Sequence, residues 1–418
     1  MGRIANYIPR IADTVLRRHL AAWPAEFVTG PRAVGKTTTA LRHAASTLRL
    51  DQASDRGLVL DDPDIALREG PFPLLIDEWQ HAPEVLGAVK RAVDTMVPAG
   101  GQFILTGSSR NDLHSGQWPL VGRSLATHMW PLTGRERFGD ATIGSLFDRW
   151  DSGERFTVPA SPPDLLDYLD IALDGGFPGA LVAAAAGARN DWMRTYVDTT
   201  VVRDLPELAA VHGRRRHPDA LRRYLGACAL HTAGVVPDTA LAAAARMDRR
   251  TAVGYHDTLN ILRLVADVPA WHSNRLKRLT SMPKRLLADS GLAAWLIGSD
   301  ADAIRQDAAV RGRIIETFVA AQLRVEVEAT QRRTTMFHLR TQGGDHEIDL
   351  VVEFGTRLAA FEVKTSSGPS AGDARHLAWL RDKLPPEQFA GGVVFHTGAR
   401  RYGLGDRIEA VPIAGLWG

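Results

Sequence analysis

Residues 30–37, GPRAVGKT, constrain the fold of this 418-residue chain more than any other segment. They have the spacing of glycine, four residues, glycine, lysine and a hydroxyl residue. An apolar run at residues 26–29 precedes them, and a helical pattern from about Thr37 to Ser46 follows. Glycines let a loop turn its backbone amides inward around an anion. The segment therefore predicts a phosphate-binding loop between a strand and a helix.

Each part of this loop has an expected task in holding a nucleoside triphosphate such as ATP. Lys36 is expected to contact the β- and γ-phosphates, and the Thr37 hydroxyl to bind Mg²⁺. The positive end of the following helix is expected to point at the anion. The predicted nucleotide-binding residues are Gly30, Pro31, Arg32, Ala33, Val34, Gly35, Lys36, Thr37 and Thr38.

A second apolar run, residues 73–76, ends in two adjacent acids, Asp77 and Glu78. At the carboxyl edge of a parallel sheet, Asp77 is expected to hold Mg²⁺ and Glu78 to polarise the attacking water. Glu78 and Lys36 are the predicted catalytic residues. The structural alternative is a capped helix start, since acidic residues favour first turns.

A third apolar run, residues 102–106, leads to small polar residues. Thr106 or Ser108 is expected to orient the water or touch the γ-phosphate; a simple exit from a strand into a turn is the alternative. Arg123 can reach a phosphate in its own subunit or in a neighbouring subunit of a homo-oligomer. A solvated arginine is the alternative reading of that residue.

Apolar runs that alternate with helical patterns predict an α/β domain with a mostly parallel sheet over residues 1–150. A polar, proline-containing segment, residues 151–164, predicts a linker or an ordered loop. Residues 160–298 predict a helical domain, in which residues 237–271 have the order of a helix-turn-helix with a wing. Residues 299–418 predict a second α/β domain.

This last domain contains a set of acidic residues that resembles the PD-(D/E)xK nuclease core. Glu362 and Lys364 are two apart and share one face of a strand, Asp349 begins a strand, and Glu316 lies on a helix before it. Such carboxylates bind Mg²⁺, and the lysine positions a water for phosphodiester attack. His376 and Gln342 are weaker candidates to assist. Solvated strand faces also produce this pattern, but the order of the groups favours a restriction-endonuclease-like fold.

Basic residues concentrate at residues 212–218, 246–250 and 273–285. Arg249 and Arg250 open the predicted recognition helix, where side chains meet DNA phosphates or a groove. A solvated helix face, or a lid over the nucleotide, explains the same charges without DNA. By contrast, residues 175–178, GGFP, predict a turn that needs glycine dihedrals.

Bulk composition excludes several classes of protein. The net charge of +2 does not by itself indicate a nucleic-acid or membrane partner. A single cysteine, Cys228, excludes an internal disulfide and a cysteine-rich zinc site, and the histidines lack ligand spacing. No apolar run has the length of a membrane span, and the first twenty residues predict a leading helix, so a cytoplasmic protein is expected.

Together these motifs resemble AAA-type ATPases, in particular a bacterial and archaeal group with a P-loop core and a C-terminal domain of unknown function. The resemblance is carried by residues 30–37, 76–85, 105–109, 175–178, 192–205, 284–298 and 347–352. It implies a Mg²⁺-dependent ATPase that couples hydrolysis to domain movement and acts on or with nucleic acid. Two alternatives stay open: a nucleotide-switched DNA-binding regulator with an inactive nuclease-like domain, and an ATP-coupled DNA nuclease.

Overall fold

A computed structural model describes residues 7–68, 70–95, 100–107, 120–185, 187–212, 217–299, 301–341 and 343–418. The chain divides into two compact units, Met1–Trp130 and Pro131–Gly418. This division lies before residue 150, where the first domain was predicted to end. Leu146 and Phe147 belong to the core of the second unit. Within the described residues, no helix combines the length and apolarity needed to cross a membrane.

The first unit is a five-stranded parallel sheet with strand order β2-β3-β4-β1-β5. Its elements are α1 (Ile11–Ala22), β1 (Ala25–Thr29), α2 (Lys36–Leu41), β2 (Ser46–Arg49), α3 (Ala53–Asp61), α4 (Pro63–Ala66), β3 (Leu74–Asp77), α5 (Val85–Thr95), β4 (Phe103–Thr106) and β5 (Ser124–His128). The predicted parallel α/β fold of this region is confirmed.

Alternating residues of these strands enter two separate cores, one on each face of the sheet. Phe27, Ile76 and Leu105 pack with α5 on one face. Val28, Leu75 and Ile104 pack with α1 and α2 on the other. Burial on both faces explains why β1, β3 and β4 are mostly apolar, although β1 also contains the buried Glu26.

The helix after the phosphate loop is shorter than predicted. It ends at Leu41 rather than near Ser46. The backbone amides of Ala45 and Ser46 donate to the Pro73 carbonyl, at 2.8 and 3.3 Å, and Ser46 begins β2. Pairing with β3 therefore ends the helical pattern early.

The second unit begins with a mainly helical region. Its elements are α6 (Gly134–Phe138), α7 (Leu146–Asp151), α8 (Leu165–Asp174), α9 (Pro178–Ala185), α10 (Arg189–His212), α11 (Pro218–Leu230), β6 (Gly234–Val235), α12 (Asp238–Ala244), α13 (Arg249–Ile261), β7 (Val265–Val268), α14 (Arg275–Thr280), β8 (Lys284–Leu287), α15 (Ser290–Ile297), α16 (Ala301–Gln306) and α17 (Ala308–Ala329). Strands β6, β8 and β7 form a three-stranded antiparallel sheet in that order. Asp248 separates α12 from α13 and caps α13 by accepting from the Thr251 amide at 3.0 Å.

A six-stranded mixed sheet of order β13-β14-β12-β11-β10-β9 completes this unit. Its elements are β9 (Thr334–Arg340), β10 (Glu347–Phe354), β11 (Arg357–Val363), α18 (Arg375–Lys383), β12 (Phe389–His396), β13 (Tyr402–Gly405) and β14 (Ile408–Pro412). Strands β9, β10 and β11 are antiparallel neighbours, whereas β12 pairs in parallel with β11 and β14. Residues of α17 and α18 pack in different cores, together with alternating residues of the strands.

The segment 151–164 is an ordered loop, which was one of its two predicted readings. Phe156 is buried, and its ring centroid lies 5.4 Å from that of Trp150 and 5.8 Å from that of Phe395. The loop is therefore part of the core of the second unit.

Gly175 and Gly176 form a close turn against Asp289. Gly175 has φ +73°, and a Cβ there would lie 2.5 Å from Asp289 Oδ1. The Gly176 amide donates to Asp289 Oδ2 at 2.7 Å. A left-handed backbone beside a buried carboxylate explains why the GGFP segment requires glycine.

Candidate functional site

The phosphate loop joins β1 to α2 and has a strained shape that its glycines permit. Gly30 has φ +149°, and a Cβ there would lie 2.2 Å from the Met129 carbonyl oxygen. Gly35 has φ +101° and is the residue before α2. Both positions exclude larger residues, so the two glycines of the motif are required by geometry.

Lys36 is half-buried at the start of α2, beside the loop. Its Nζ donates to the carbonyl oxygens of Gly30 and Pro31, at 3.0 and 2.8 Å. These partners are neutral backbone atoms, which places the ammonium over the loop without a carboxylate among the two. These two contacts hold the ammonium of Lys36 beside the phosphate loop.

Asp77 lies at the end of β3 with 2% of its surface exposed. Its Oδ1 accepts a hydrogen bond from Thr37 Oγ1 at 2.9 Å and another from Thr106 Oγ1. Asp77 and Thr106 are direct neighbours across β3 and β4. The sheet thus brings Thr37, Asp77 and Thr106 together at its carboxyl edge, and their oxygen atoms are the ligand type that Mg²⁺ prefers.

Glu78 follows Asp77 in a left-handed conformation, with φ 54° and ψ 46°. It precedes a single 3-10 turn, Trp79–His81, and its side chain makes no capping hydrogen bond there. Instead, the Gln80 amide donates to the Glu78 carboxylate. Glu78 therefore stands at the start of this turn but does not cap it with its side chain.

A group of residues before and around α1, which the sequence did not single out, contacts the phosphate loop and α2. Arg10 is buried and donates from Nη1 to the Val34 carbonyl at 2.9 Å. Asp13 accepts from Tyr7 and from His43 Nε2, both at 2.8 Å. Burial alone would raise the pKa of Asp13, but hydrogen bonds from His43, the Arg10 amide and Tyr7 lower it. The leading helix predicted here therefore also supports the loop.

Arg123 has a partner in its own unit. Its Nε and Nη2 donate to the two carboxylate oxygens of Asp94, at 2.5 and 3.1 Å. The pair lies at the surface, with 34% and 40% of the side chains exposed. Ser108, the other predicted γ-phosphate contact, lies outside the described residues.

The four acidic and basic residues predicted in the last domain converge in the structure. Asp349 Oδ2 accepts from the Val363 amide at 2.9 Å, and Lys364 Nζ donates to Glu362 Oε2 at 3.1 Å. The group that joins them is Lys284, whose Nζ lies 2.5 Å from Glu316 Oε1 and 3.5 Å from Asp349 Oδ1. Among the described residues, no cluster of three or more His, Cys, Asp or Glu side chains is arranged to hold a metal ion.

Burial dominates the electrostatics of this set. Burial and the charge of Asp349 raise the pKa of Glu362 to about 9 and that of Glu316 to about 7. Burial alone would lower the pKa of Lys284, but the carboxylates of Glu316 and Asp349 raise it. Lys284 therefore stays charged.

Of the two predicted assisting residues, the structure describes His376. His376 Nδ1 is 3.1 Å from His346 Nδ1, and the His346 ring stacks on Trp379 at a centroid distance of 4.1 Å. Gln342 lies outside the described residues. The structure therefore places His376 beside the rings of His346 and Trp379.

The basic segments predicted to meet DNA divide into exposed and buried parts. Arg249 and Arg250 are exposed at the start of α13. Lys284 and Arg285 are buried, and Arg285 donates to Asp238 and Asp267 at 2.5 and 2.6 Å. Their assignment to a DNA-binding patch is wrong, because their charges are already paired inside the protein. Residues 213–216 lie outside the described part of the chain.

Three family models match consecutive parts of the chain. Residues 23–138 match a model described as an AAA domain. Residues 165–303 and 311–416 match two models, each described as a domain of unknown function (DUF8612 and DUF4143). The resemblance to AAA-type ATPases is thus supported for the first of these parts.

Relatives and solved structures add less specific likenesses. Uncharacterized proteins of Mycobacterium bovis and Mycobacterium tuberculosis are each 29% identical over 409 residues, covering 96% of this chain and 83% of theirs. A Walker-type ATPase of Pyrococcus abyssi has a TM-score of 0.41 at 17% identity, over 70% of this chain and 97% of its own. A protein from Vibrio cholerae has a TM-score of 0.20 at 11% identity, over 94% and 95% of the two chains. The family match and the parallel sheet together support an AAA-type P-loop ATPase domain in the first part of the chain.

Proposed function

We propose that this protein is an ATP-binding, Mg²⁺-dependent ATPase that uses the site between the phosphate loop and the ends of β3 and β4. The observation that carries the proposal is the joint bonding of Thr37 and Thr106 to the buried Asp77 carboxylate. A hydroxyl beside a carboxylate, next to a glycine-rich loop, fits a hard cation that accompanies a triphosphate.

The residues of the chain have distinct tasks in this proposal. The backbone amides of the phosphate loop, except at Pro31, and the ammonium of Lys36 bind the phosphates and stabilise negative charge on the transferred group. Thr37 and Asp77 would hold Mg²⁺, which when bound neutralises charge on the β- and γ-phosphate oxygens. Glu78, at the carboxyl end of β3, aligns the attacking water.

A variant of Glu78 tests these roles. We expect Glu78→Gln to bind Mg²⁺ and ATP as the wild type does, because the amide keeps the shape of the side chain, but to hydrolyse ATP very slowly. Calorimetric titration measures binding and phosphate release measures turnover. Normal turnover of Glu78→Gln would remove Glu78 from the mechanism, and an absence of heat with the wild type would remove the ATPase proposal itself.

Hydrolysis in this proposal is coupled to movement of the second unit, which acts on or with nucleic acid. The exposed Arg249 and Arg250 at the start of α13 support a contact with DNA phosphates. The order of α11, β6, α12, α13, β7 and β8 supports a winged-helix region at this place. We expect the DNA affinity of the wild type to fall steeply as the salt concentration rises. The salt dependence of the Arg249→Ala/Arg250→Ala variant should be less steep.

A second candidate function is a nucleotide-switched DNA-binding regulator whose nuclease-like domain does not cut. The mixed sheet with α17 and α18 supports the restriction-endonuclease-like interpretation of this domain. Lys284 among the acids favours binding over cleavage. Plasmid DNA incubated with the protein and Mg²⁺, against Glu362→Ala/Lys364→Ala, separates this candidate from the DNA nuclease. Cleavage that is lost in the variant indicates the nuclease, whereas salt-dependent binding without cleavage indicates the regulator.

A further inference from the structure

The final sheet borders a cavity of about 730 Å³ that takes no part in the function proposed above. Its walls come from residues 150–156, the start of β11, the start of β12 and the β13–β14 hairpin. All of these segments belong to the second unit. The volume lies within the usual range of small-molecule sites, about 300–1,000 Å³.

This cavity is separate from the carboxylate set of the same domain. Arg357, which lines the cavity, is the first residue of β11, and Glu362 comes five residues later in that strand. Five residues of a strand span roughly 16 Å. Phe361 enters the core on one face of the sheet and Ala360 the core on the other. Because side chains alternate between faces along a strand, Arg357 and Glu362 lie on opposite faces.

Four arginines from different segments line the cavity: Arg155, Arg357, Arg401 and Arg407. Arg357 Nη1 donates to Asp151 Oδ1 at 3.0 Å. Arg401 Nε donates to Glu409 Oε2 at 2.7 Å. These bonds hold two of the guanidinium groups in fixed positions at the wall. A guanidinium has five N–H donors, so one bond to Asp151 does not use up the donors of Arg357.

Arg155 differs from the other three arginines. Its side chain is exposed, and its guanidinium makes no hydrogen bond or ion pair with the described part of the chain. Guanidinium groups bind phosphate and carboxylate groups through paired N–H donors. Arg155 is therefore placed to bind an anionic group that comes from outside the chain.

The same walls contain carboxylates. Asp151, Glu154 and Glu409 are the acids among the described lining residues, against four arginines, which leaves one positive charge in excess. Carboxylates accept hydrogen bonds and do not favour a simple anion. The mixture fits a ligand that has both an anionic group and hydroxyl or amino donors.

Two aromatic rings complete the lining. The Trp150 ring is held edge-to-face by Phe156 and Phe361, at centroid distances of 5.4 and 5.8 Å. Tyr402 is 37% exposed, and its hydroxyl donates to the Pro369 carbonyl at 2.7 Å. Rings that the protein holds in place are suited to pack against a flat group of a ligand.

A glycine keeps part of the wall free of side chains. A Cβ at Gly403 would have nothing within 4 Å, and Gly403 has no left-handed φ. Neither packing nor backbone conformation therefore requires glycine at this position. The missing side chain leaves space at the wall of the cavity.

We propose that this cavity binds a nucleoside monophosphate. The arginines, including Arg155, contact the phosphate, the acids accept from sugar hydroxyl or base amino groups, and the rings of Trp150 and Tyr402 pack on the base. The inference does not rest on the ATPase proposal, because the phosphate loop belongs to the first unit and the cavity to the second.

Calorimetric titration of full-length Lys36→Ala with AMP, GMP, CMP and UMP tests the proposal. The Lys36 change removes the proposed triphosphate site from the measurement. At least one nucleotide should bind at least about tenfold more tightly than its nucleoside and than inorganic phosphate. No binding of any of the four would overturn the proposal, and so would equal affinity for inorganic phosphate.

The wild type separates this result from the ATPase proposal. It should bind the same monophosphate with the same affinity as Lys36→Ala, whether or not ATP is hydrolysed. Binding that is present in the wild type and lost in Lys36→Ala would assign the nucleotide to the phosphate loop and overturn the inference.

A change at Arg155 locates the ligand. In the Lys36→Ala background, Arg155→Ala should weaken nucleotide binding by roughly 10- to 100-fold, the range for loss of a hydrogen bond to a charged group. Arg375→Ala removes an exposed arginine of α18 outside the cavity and should leave the affinity unchanged. Unchanged affinity in Arg155→Ala, or an equal loss in Arg375→Ala, would contradict the assignment.

A change at Gly403 tests the cavity itself. Gly403→Leu adds a side chain where the structure has room for its Cβ, so the variant should fold and lose nucleotide binding. Thermal denaturation measures both properties, because a bound nucleotide raises Tm. An equal rise in Tm with and without the leucine would overturn the proposal. Gly403→Ser repeats the measurement with a smaller group if Gly403→Leu does not fold, and Arg155→Ala decides the question independently of both.

Discussion

Lys36 in the first unit and Lys284 in the second both lie close to oxygen atoms, but the oxygen atoms differ in charge. Lys36 donates to two neutral carbonyl groups of its own loop, whereas Lys284 lies against the carboxylates of Glu316 and Asp349. The Lys36 contacts hold the ammonium on the phosphate loop. The charge of Lys284 is balanced by the acids beside it, so we expect its removal to act first on the stability of the second unit.

The largest expected effect tests whether Lys36 is available to phosphate. We expect Lys36→Ala to weaken ATP binding by at least about 100-fold, because hydrogen bonds to charged groups contribute about 1.5–3 kcal/mol each. Calorimetric titration with ATP and Mg²⁺ measures the change. Lys90→Ala, on α5, is a matched control that should bind normally. If Lys36→Ala bound ATP with the affinity of the wild type, Lys36 would not contact the bound phosphates and its expected difference from Lys284 would be lost.

The next effect concerns stability in the second unit. Lys284→Met should lower the free energy of unfolding by about 3–5 kcal/mol, because it leaves buried carboxylates without their nearest cation. Urea denaturation without metal measures this, and Lys277→Met, at an exposed position, should change it by less than about 0.5 kcal/mol. An unchanged midpoint for Lys284→Met would mean that the acids do not need the ammonium.

The next prediction concerns the pH dependence of stability at His338, whose Nε2 donates to the Met282 carbonyl just before β8. Burial, together with the charges of Lys284 and Arg340, lowers the pKa of His338 to about 4. The unfolded chain therefore takes up a proton below about pH 6.5 that the folded chain refuses until about pH 4, so stability falls as the pH falls through this range.

At pH 5 this histidine should have removed about 2 kcal/mol of stability relative to pH 7. Urea denaturation of the wild type and of His338→Gln at both pH values isolates the contribution. We expect a smaller difference between the two pH values in the variant. An identical pH dependence would show that His338 is not held neutral by its surroundings.

The smallest expected effect is at Arg123. Its pair with Asp94 is exposed, so Arg123→Ala should leave stability almost unchanged and ATP turnover within about twofold. A coupled phosphate-release assay at several protein concentrations measures turnover. A large, concentration-dependent loss would instead indicate that Arg123 serves the nucleotide of a neighbouring subunit.

Sequence patterns predicted β1, β3 and β4 but missed some strands, including the mostly buried β14. Strands β1, β3 and β4 are mostly apolar because both faces of the sheet are covered. Strand β5, SLATH, and strand β13, YGLG, are partly exposed and have no such run, and neither was predicted. The helix after the loop was predicted too long because its end depends on pairing between β2 and β3, which local propensity does not report.

The candidate sites show the same limit. The loop, Asp77 and Glu78 were identified from short motifs whose residues are neighbours in sequence. Lys284 was read as part of a basic patch, because its partners Glu316 and Asp349 lie 32 and 65 positions later. Only the fold distinguishes a lysine that meets solvent from one enclosed by acids.

The placement of Lys284 also limits how the chain can be dissected. A fragment that begins at residue 299, where the last domain was predicted to start, would separate the lysine of β8 from the acids of α17, β10 and β11. Such a fragment would contain acidic side chains shaped around a charge that it no longer has. A fragment used to study these acids should therefore begin before β8, so that it includes Lys284.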